Sequence, residues 1–154
     1  LRHEQPTPLE ATMRARPAVL VVAVVLGVAV SLPAAAVAEV PQHSVTLTGA
    51  REVPAPGDGN GRGSFAWSLD GTRLCYLLSA KKAGTAAAAH IHRGRAGVAG
   101  PVVVDLTAPT PASAGCATVG ASLAMALRAH PRRFYVNVHN AAHPAGAIRA
   151  QLHF

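Results

Sequence analysis

Two alternating segments joined by Asp70-Gly71 constrain the fold more than any other feature of this sequence. Residues 64–69 and 72–79 alternate large apolar side chains with small or polar ones. A period of two places every second side chain on the same face of an extended strand, and Asp-Gly is typical of a tight hairpin turn. The apolar face so predicted comprises Phe65, Trp67, Leu69, Leu74, Tyr76 and Leu78. The segment therefore predicts an antiparallel hairpin with one buried face.

Five further strands are predicted by the same pattern, at residues 44–48, 87–92, 102–106, 134–139 and 147–154. The segments 49–63 and 107–120, rich in glycine, proline and small residues, are predicted to be loops. A short helix is predicted over 121–130, with Ser122 as its N-cap and Pro131 as its stop, an irregular loop being the alternative. Seven short strands and at most one small helix predict an all-β sandwich or barrel.

Residues 13–38 are interpreted as a secretory signal peptide. Arg14 and Arg16 form a short positive region, and residues 18–32 form an apolar core of 15 residues. The small residues 36–38 follow the A-x-A cleavage pattern. A membrane anchor is the alternative, but the apolar core is shorter than the roughly 20 residues that span a bilayer. We therefore expect a secreted, extracellular protein without a stable membrane anchor after cleavage.

The segment that precedes this signal is interpreted as an upstream stretch, residues 1–12, with Met13 as the true first residue. Residues 39–154 then form one exported domain of common size. This domain carries 11 Lys and Arg against 5 Asp and Glu, so its net charge is 11 − 5 = +6 with neutral histidine. The basic residues are scattered, which favours plain solubility and argues against a nucleic-acid partner.

An anionic cell-wall polymer is the partner that such a charge would meet after export, as an alternative to plain solubility. The basic loops that would contact it carry Arg93, Arg95 and Arg132-Arg133.

Cys75 and Cys116 are the two cysteines of the chain. Their even number in an oxidising compartment predicts one disulfide, which would leave no thiol for nucleophilic catalysis or for a metal.

His90 and His92 are separated by one residue in a predicted strand, so both point to the same face. Imidazole nitrogens bind zinc and copper, and His139 is the leading third ligand, with His143 in reserve. The residues by themselves favour another interpretation, in which these histidines are hydrogen-bonded and organise the loops at strand ends. The residues alone therefore assign no cofactor, copper or zinc being the alternative.

Catalysis is not expected, because the serines lie in no nucleophile-elbow motif and the few carboxylates form no acid–base pair. The HIH stretch at 90–92 resembles the His-X-His strand of copper/zinc superoxide dismutases over a few residues only. The carboxylate and bridging-histidine pattern of those enzymes is not evident here, so dismutase activity is not predicted.

Three stretches together resemble the CHRD domain, known from the extracellular protein chordin and from secreted microbial proteins. They are LTGAREVPAP at 47–56, AHIHRGRAGVAGPVVVDL at 89–106 and FYVNVHNAAHPAGAIRAQL at 134–152. The resemblance implies an extracellular domain, here an immunoglobulin-like or Greek-key β-sandwich of about seven to nine short strands. It implies a non-catalytic binding or structural module whose ligand is an unknown extracellular molecule or protein, which in chordin is a secreted growth factor.

The resemblance also carries a set of residues onto this chain. They are Glu52, His90, His92, Gly94, Gly97, Gly100, Pro101, Asn137, His139, Pro144, Gly146, Arg149 and Gln151. Asn140, Ala147 and Ala150 depart from the Thr, Glu and Gly usual in the family, so no carboxylate role near position 147 is carried over. Glu52 and Arg149 are predicted to form a charge pair that locks the first strand to the last.

Overall fold

The computed structural model describes residues 41–154. The predicted signal peptide at 13–38 and the upstream segment 1–12 lie outside this part of the chain. Within it, no helix is both long enough and apolar enough to cross a membrane.

Eight strands and one α-helix make up the described domain. The strands are β1 His43–Thr48, β2 Arg62–Asp70, β3 Arg73–Lys81, β4 Ala86–Arg93, β5 Val102–Leu106, β6 Ala112–Thr118, β7 Phe134–Asn140 and β8 Ile148–Gln151. The helix α1 spans Ala121–Ala129, and short 3-10 turns occupy Gly49–Arg51 and Pro131–Arg133. The predicted all-β class with one small helix is confirmed.

The predicted hairpin is formed by β2 and β3, which pair in register from Arg62↔Lys81 to Asp70↔Arg73. Two of its cross-strand pairs, Phe65↔Leu78 and Trp67↔Tyr76, are buried. Large aromatic and aliphatic residues at alternate positions therefore determine both the strands and the buried face.

Three local predictions were wrong. Residues 112–118, predicted to lie in a loop, form strand β6 along β3. Its sequence ASAGCAT consists mainly of small residues with weak strand preference, so that pairing with β3 determines its conformation. The helix N-cap is Gly120 in extended conformation and not Ser122, which lies inside the first turn. The last strand is also shorter than predicted and ends at Gln151.

All eight strands belong to one antiparallel sheet of order β5-β4-β7-β8-β1-β2-β3-β6. In a flat sheet its two edge strands would lie about 33 Å apart, at 4.7–4.9 Å per step. Residues 107–111 connect these two edges directly and span at most about 22 Å. The sheet must therefore curl until its edges approach. Thr107 N, just after β5, donates to the Tyr76 hydroxyl on β3 at 2.8 Å.

The interior of the curled sheet is a single apolar cluster drawn from seven of the strands and from α1, and Ala117 of β6 packs against it. Phe65, Trp67, Ile91, Val136 and Leu127 are among its fully buried members. Cys75 and Cys116, which face each other in the β3–β6 register, form the predicted disulfide and fasten the edge strand. The apolar residues inside leave the opposite, outer face of the sheet free for polar side chains.

Candidate metal centre

The outer face of β4, β7 and β8 carries polar residues in three cross-strand rows. The rows are Ala88↔His139, His90↔Asn137↔Arg149 and His92↔Tyr135↔Gln151. Residues that face each other in an antiparallel pair lie on the same side of the sheet. The alternate positions of these strands, such as Ile91, Val136 and Ile148, point into the core. Strand alternation thus concentrates the polar residues outside, at the middle of one sheet.

His90, His92 and His139 converge in this region, and one ring nitrogen of each lies within 4.8 Å of the other two. Nδ1 of His90 is 3.2 Å from Nε2 of His139. Two imidazole nitrogens on a tetrahedral zinc ion at 2.0–2.1 Å would be about 3.3 Å apart. One pair is therefore already at ligand spacing, and the longest separation would have to shorten by about 1.5 Å to match.

The second ring nitrogens fix the orientation of two of these rings. Nδ1 of His92 lies 2.8 Å from the Gly100 carbonyl oxygen, and Nδ1 of His139 lies 3.0 Å from that of Pro144. A carbonyl oxygen only accepts, so each Nδ1 carries the proton and donates it, which leaves the Nε2 lone pair free. Outer partners of this kind are typical of metal-binding histidines.

The third ring, His90, presents Nδ1 to the cluster because its Nε2 faces the Asp105 carboxylate at 3.8 Å. Burial is the main reason that the pKa of His90 and that of His92 lie below the ordinary value. Nearby imidazoles lower both pKa values further, while Asp105 opposes the shift at His90 and the Gly100 carbonyl opposes it at His92. The two rings are thereby kept neutral, the form that binds a metal.

The loop between β4 and β5 fixes the orientation of His92. Gly100 supplies the carbonyl that accepts from His92, and its amide donates to the Tyr135 hydroxyl at 3.2 Å. A β-carbon at Gly100 would overlap the backbone carbonyl of Arg93, so only glycine fits there. The Tyr135 ring stacks on His92 at 4.7 Å with an angle of 6° between the planes. The Arg149 guanidinium also lies over the Tyr135 ring, 3.3 Å from its centre.

Asn137 lies at the centre of the polar rows and is 2 % exposed. Burial raises the pKa of Glu52, and the Asn137 side chain opposes that shift. The amide oxygen of Asn137 lies 3.1 Å from Nε2 of His139. Asn137 therefore contacts the histidine cluster and also influences Glu52.

Glu52 and Arg149 are both buried, at 5 % and 2 % exposure. Among residues 41–154, the one acid–base contact within 4.0 Å is that of His90 with Asp105, so Glu52 and Arg149 do not touch directly. Burial raises the pKa of Glu52 to about 7, and the charge of Arg149 lowers it only in part. Burial also lowers the pKa of Arg149. Their stabilising role in joining the first and last strands stays a prediction.

His143, the reserve ligand, is outside the three-histidine group. It lies in the turn after β7, where its backbone amide donates to the Asn140 side chain at 2.6 Å.

Tyr135 is the site residue that sequence reasoning missed. It stands two residues before Asn137 in a strand, so the alternation that placed Asn137 and His139 on one face also places Tyr135 there.

Three of the predicted basic residues lie together in one groove of the surface. Arg95, Arg132 and Arg133 line one groove together with His130 and His153. Arg93 instead lies over the Phe134 ring, 5.3 Å from its centre. The loops that carry these residues are close together in the fold although distant in sequence.

Comparison with known families and proteins gives one match. The family model described as CHRD domain matches residues 43–152, which is most of the chain and nearly all of the described part. No curated protein and no solved structure matches the chain. The match covers every strand described above together with the three histidines. The chain therefore belongs to the CHRD domain family.

Proposed function

We propose that this chain is a secreted, non-catalytic module that binds one divalent transition-metal ion through His90, His92 and His139. The observation that carries the proposal is the convergence of three imidazole nitrogens within 4.8 Å, two of them on rings whose other nitrogen is engaged. A simple structural role for these histidines does not require their free lone pairs to point at one another.

The surroundings of His139 give further support. Its Nδ1 proton is donated to the Pro144 carbonyl, so neutral His139 has no proton for the Asn137 oxygen that faces its Nε2. Nε2 of His92 is likewise buried without a hydrogen-bond partner. In the metal-free protein Nδ1 of His90 can donate to Nε2 of His139, but Nε2 of His92 and the Asn137 oxygen receive no proton from these rings, which is unfavourable unless a cation lies among them.

Copper and zinc are the ions that suit this donor set, because both accept neutral imidazole. Three protein ligands would leave at least one coordination position for water or for a ligand. Catalysis at the metal would require an acid or base beside that position. Asp105 faces Nε2 of His90, the nitrogen turned away from the cluster, and Glu52 does not belong to the three-histidine group, so neither is placed for that role.

The test is metal analysis of untagged protein after dialysis against copper or zinc. We expect one equivalent in the parent chain and less than a tenth of that in the His90→Ala/His92→Ala variant. His143→Ala is the matched control, since it removes a nearby histidine outside the group. Equal metal content in the parent and the double variant would overturn the proposal.

Secretion is supported by the disulfide between Cys75 and Cys116, since such bonds persist in oxidising compartments.

We also propose that the curled sheet is of the Greek-key type. Closing it between β5 and β6 would give the order β3-β6-β5-β4, in which β6 returns beside β3. The immunoglobulin-like sandwich description would require that the two halves of the sheet pack as layers.

A second candidate function is attachment to an anionic cell-wall polymer. Its support is the groove in which Arg95, Arg132 and Arg133 come together. We expect retention on isolated walls that is abolished by salt and reduced in Arg132→Ala/Arg133→Ala. Lys81→Ala/Lys82→Ala removes the same charge elsewhere and should have no effect. Retention that persists at high salt would contradict this candidate.

A further inference from the structure

Three clefts of the surface share lining residues and together form one extended groove. The first, of about 450 Å³, is lined by Arg51, and the second, of about 500 Å³, shares Ala96 and His153 with it. The third, of about 510 Å³, shares Arg95, Arg132 and His153 with the second. Each volume alone lies within the range of small-molecule sites, so the extended groove is long enough for several units of a polymer.

The charged side chains exposed along the extended groove are positive. They belong to Arg51, Arg95, Arg132 and Arg133. Glu52, the acidic residue of the lining, is buried, and burial raises its pKa to about 7. Over the part of the chain that the structure describes, no Asp or Glu side chain lies within 4.0 Å of any of these arginines. A cleft lined by charges of one sign attracts ligands of the opposite sign.

The backbone beside three of these arginines is fixed by hydrogen bonds. Nε2 of Gln151 donates to the carbonyls of Gly94 and Arg132, at 2.7 and 2.8 Å. The Gly94 amide in turn donates to the Arg133 carbonyl at 2.8 Å. These bonds join the loop that follows β4, where Arg95 comes directly after Gly94, to the turn that precedes β7. The arginines on both sides are therefore held at a fixed spacing, which lowers the cost of ordering them around a ligand.

The remaining surface of the third cleft suits sugar rings better than an extended peptide. Its lining includes Ala129 and the Phe154 ring, which is 59 % exposed and is stacked on Trp67. Burial of the apolar face of a sugar ring against such surface is favourable. The exposed imidazoles of His130 and His153 can pair with sugar hydroxyls. The backbone carbonyls beside the arginines already accept hydrogen bonds, so they offer little to the amides of a peptide.

We propose that the extended groove binds a linear acidic polysaccharide. Carboxylates of its uronic-acid units would lie on Arg95, Arg132 and Arg133, and one sugar ring would pack on Phe154. The planar guanidinium group matches a carboxylate with two parallel hydrogen bonds. Arg51, at the far end, would bind a further unit. The proposal rests on the second candidate function and narrows its polymer from any polyanion to one built of acidic sugars.

The experiment is calorimetric titration of the protein with an oligogalacturonide at low salt. Its methyl ester keeps the rings and removes the charges, whereas an oligoglutamate with the same number of carboxylates keeps the charges and removes the rings. Arg95→Glu/Arg132→Glu reverses two charges in the extended groove. Lys81→Glu/Lys82→Glu, at exposed positions that do not line it, is the matched control. Phe154→Ala removes the aromatic surface.

We expect saturable binding of the oligogalacturonide, at least tenfold tighter than that of its methyl ester or of oligoglutamate. The dissociation constant should rise at least tenfold in Arg95→Glu/Arg132→Glu and at least threefold in Phe154→Ala. In the lysine variant, binding should be much less affected, since its charges lie outside the extended groove.

The proposal is overturned if the oligogalacturonide does not bind, if its methyl ester binds equally well, or if either groove variant binds as the parent does. Oligoglutamate that binds as tightly would assign the extended groove to an acidic peptide instead. Retention on isolated walls that salt abolishes, without oligogalacturonide binding, would overturn this proposal and leave the second candidate function standing. Oligogalacturonide binding without wall retention would do the reverse.

Discussion

Gly100→Ala is the substitution that most directly tests how the loop between β4 and β5 supports the proposed metal centre. The glycine carbonyl accepts the Nδ1 proton of His92 at 2.8 Å, and an added β-carbon would overlap the backbone carbonyl of Arg93. The backbone at residue 100 must therefore move, and the hydrogen bond to His92 is lost or lengthened. Because the obstacle is backbone and not a flexible side chain, the neighbour cannot rotate away.

Two quantities should change together in this variant. The overpacked backbone should lower the free energy of unfolding by about 1–3 kcal/mol. Loss of an outer hydrogen-bond partner of a metal ligand typically reduces metal affinity by about 10–100-fold, which corresponds to about 1.4–2.8 kcal/mol. Urea denaturation measures the first quantity, and competition with a chromophoric chelator measures the second.

Gly120→Ala is the matched control, since its β-carbon would meet open space and its φ is −62°. This control should leave both quantities nearly unchanged. If Gly100→Ala lowers stability but leaves metal affinity intact, the carbonyl of Gly100 does not orient His92 for a metal. If neither quantity changes, the steric argument itself is wrong.

Three further predictions concern stability alone. Opening the Cys75–Cys116 disulfide, which closes a separation of 41 residues, should lower the free energy of unfolding by about 4 kcal/mol in urea, and a loss below about 1 kcal/mol would contradict the chain-entropy reasoning. Glu52 has a folded pKa of about 7, which is above its unfolded value. The free energy of unfolding should therefore fall by up to about 3 kcal/mol as pH rises from 4.5 through 7. Urea titrations at successive pH values should show a flatter pH dependence for Glu52→Gln. His90 and His92 have lowered folded pKa values, so stability of the metal-free protein should fall as pH drops below about 6.5, and His90→Ala/His92→Ala should reduce that acid-side loss.

Much of the fold was predictable because large side chains alternate along most strands. Phe65, Trp67, Leu74 and Leu78 identify the hairpin by themselves, since their period of two leaves no other secondary structure that buries them together. Strand β6 was not predictable in this way. Its alanine, serine and glycine residues show no hydrophobic period. Its conformation depends on hydrogen bonds to β3, a strand far away in the sequence, since the paired residues Cys75 and Cys116 are 41 residues apart.

The candidate site was predictable in its members and not in its surroundings. The i, i+2 spacing places His90 and His92 on one face whatever strand lies beside them. That His139 joins them depends on the pairing of β4 with β7, and the register of that pair is a property of the whole sheet. The carbonyls of Gly100 and Pro144, which orient two of the rings, come from loops whose paths no local pattern specifies.

The Glu52–Arg149 prediction shows a different limit. Both side chains are buried in the fold, but they do not touch. The Arg149 guanidinium lies over the Tyr135 ring and donates to the carbonyls of Arg95 and Val98 instead. Sequence reasoning pairs opposite charges because it has no account of competing backbone acceptors. In the structure those acceptors take one nitrogen of the guanidinium, Nη2, and leave Nη1 buried without a hydrogen-bond partner.

The histidines, Asn137 and Arg149 all lie on the convex side of the sheet, while the apolar side chains that drive folding point the opposite way from the same strands. Inward and outward positions alternate residue by residue along each strand, so an outward side chain can be exchanged without changing a core side chain. Engineers could exchange the outward residues to create new recognition chemistry on an unaltered framework, and selection could have diversified the family along the same route.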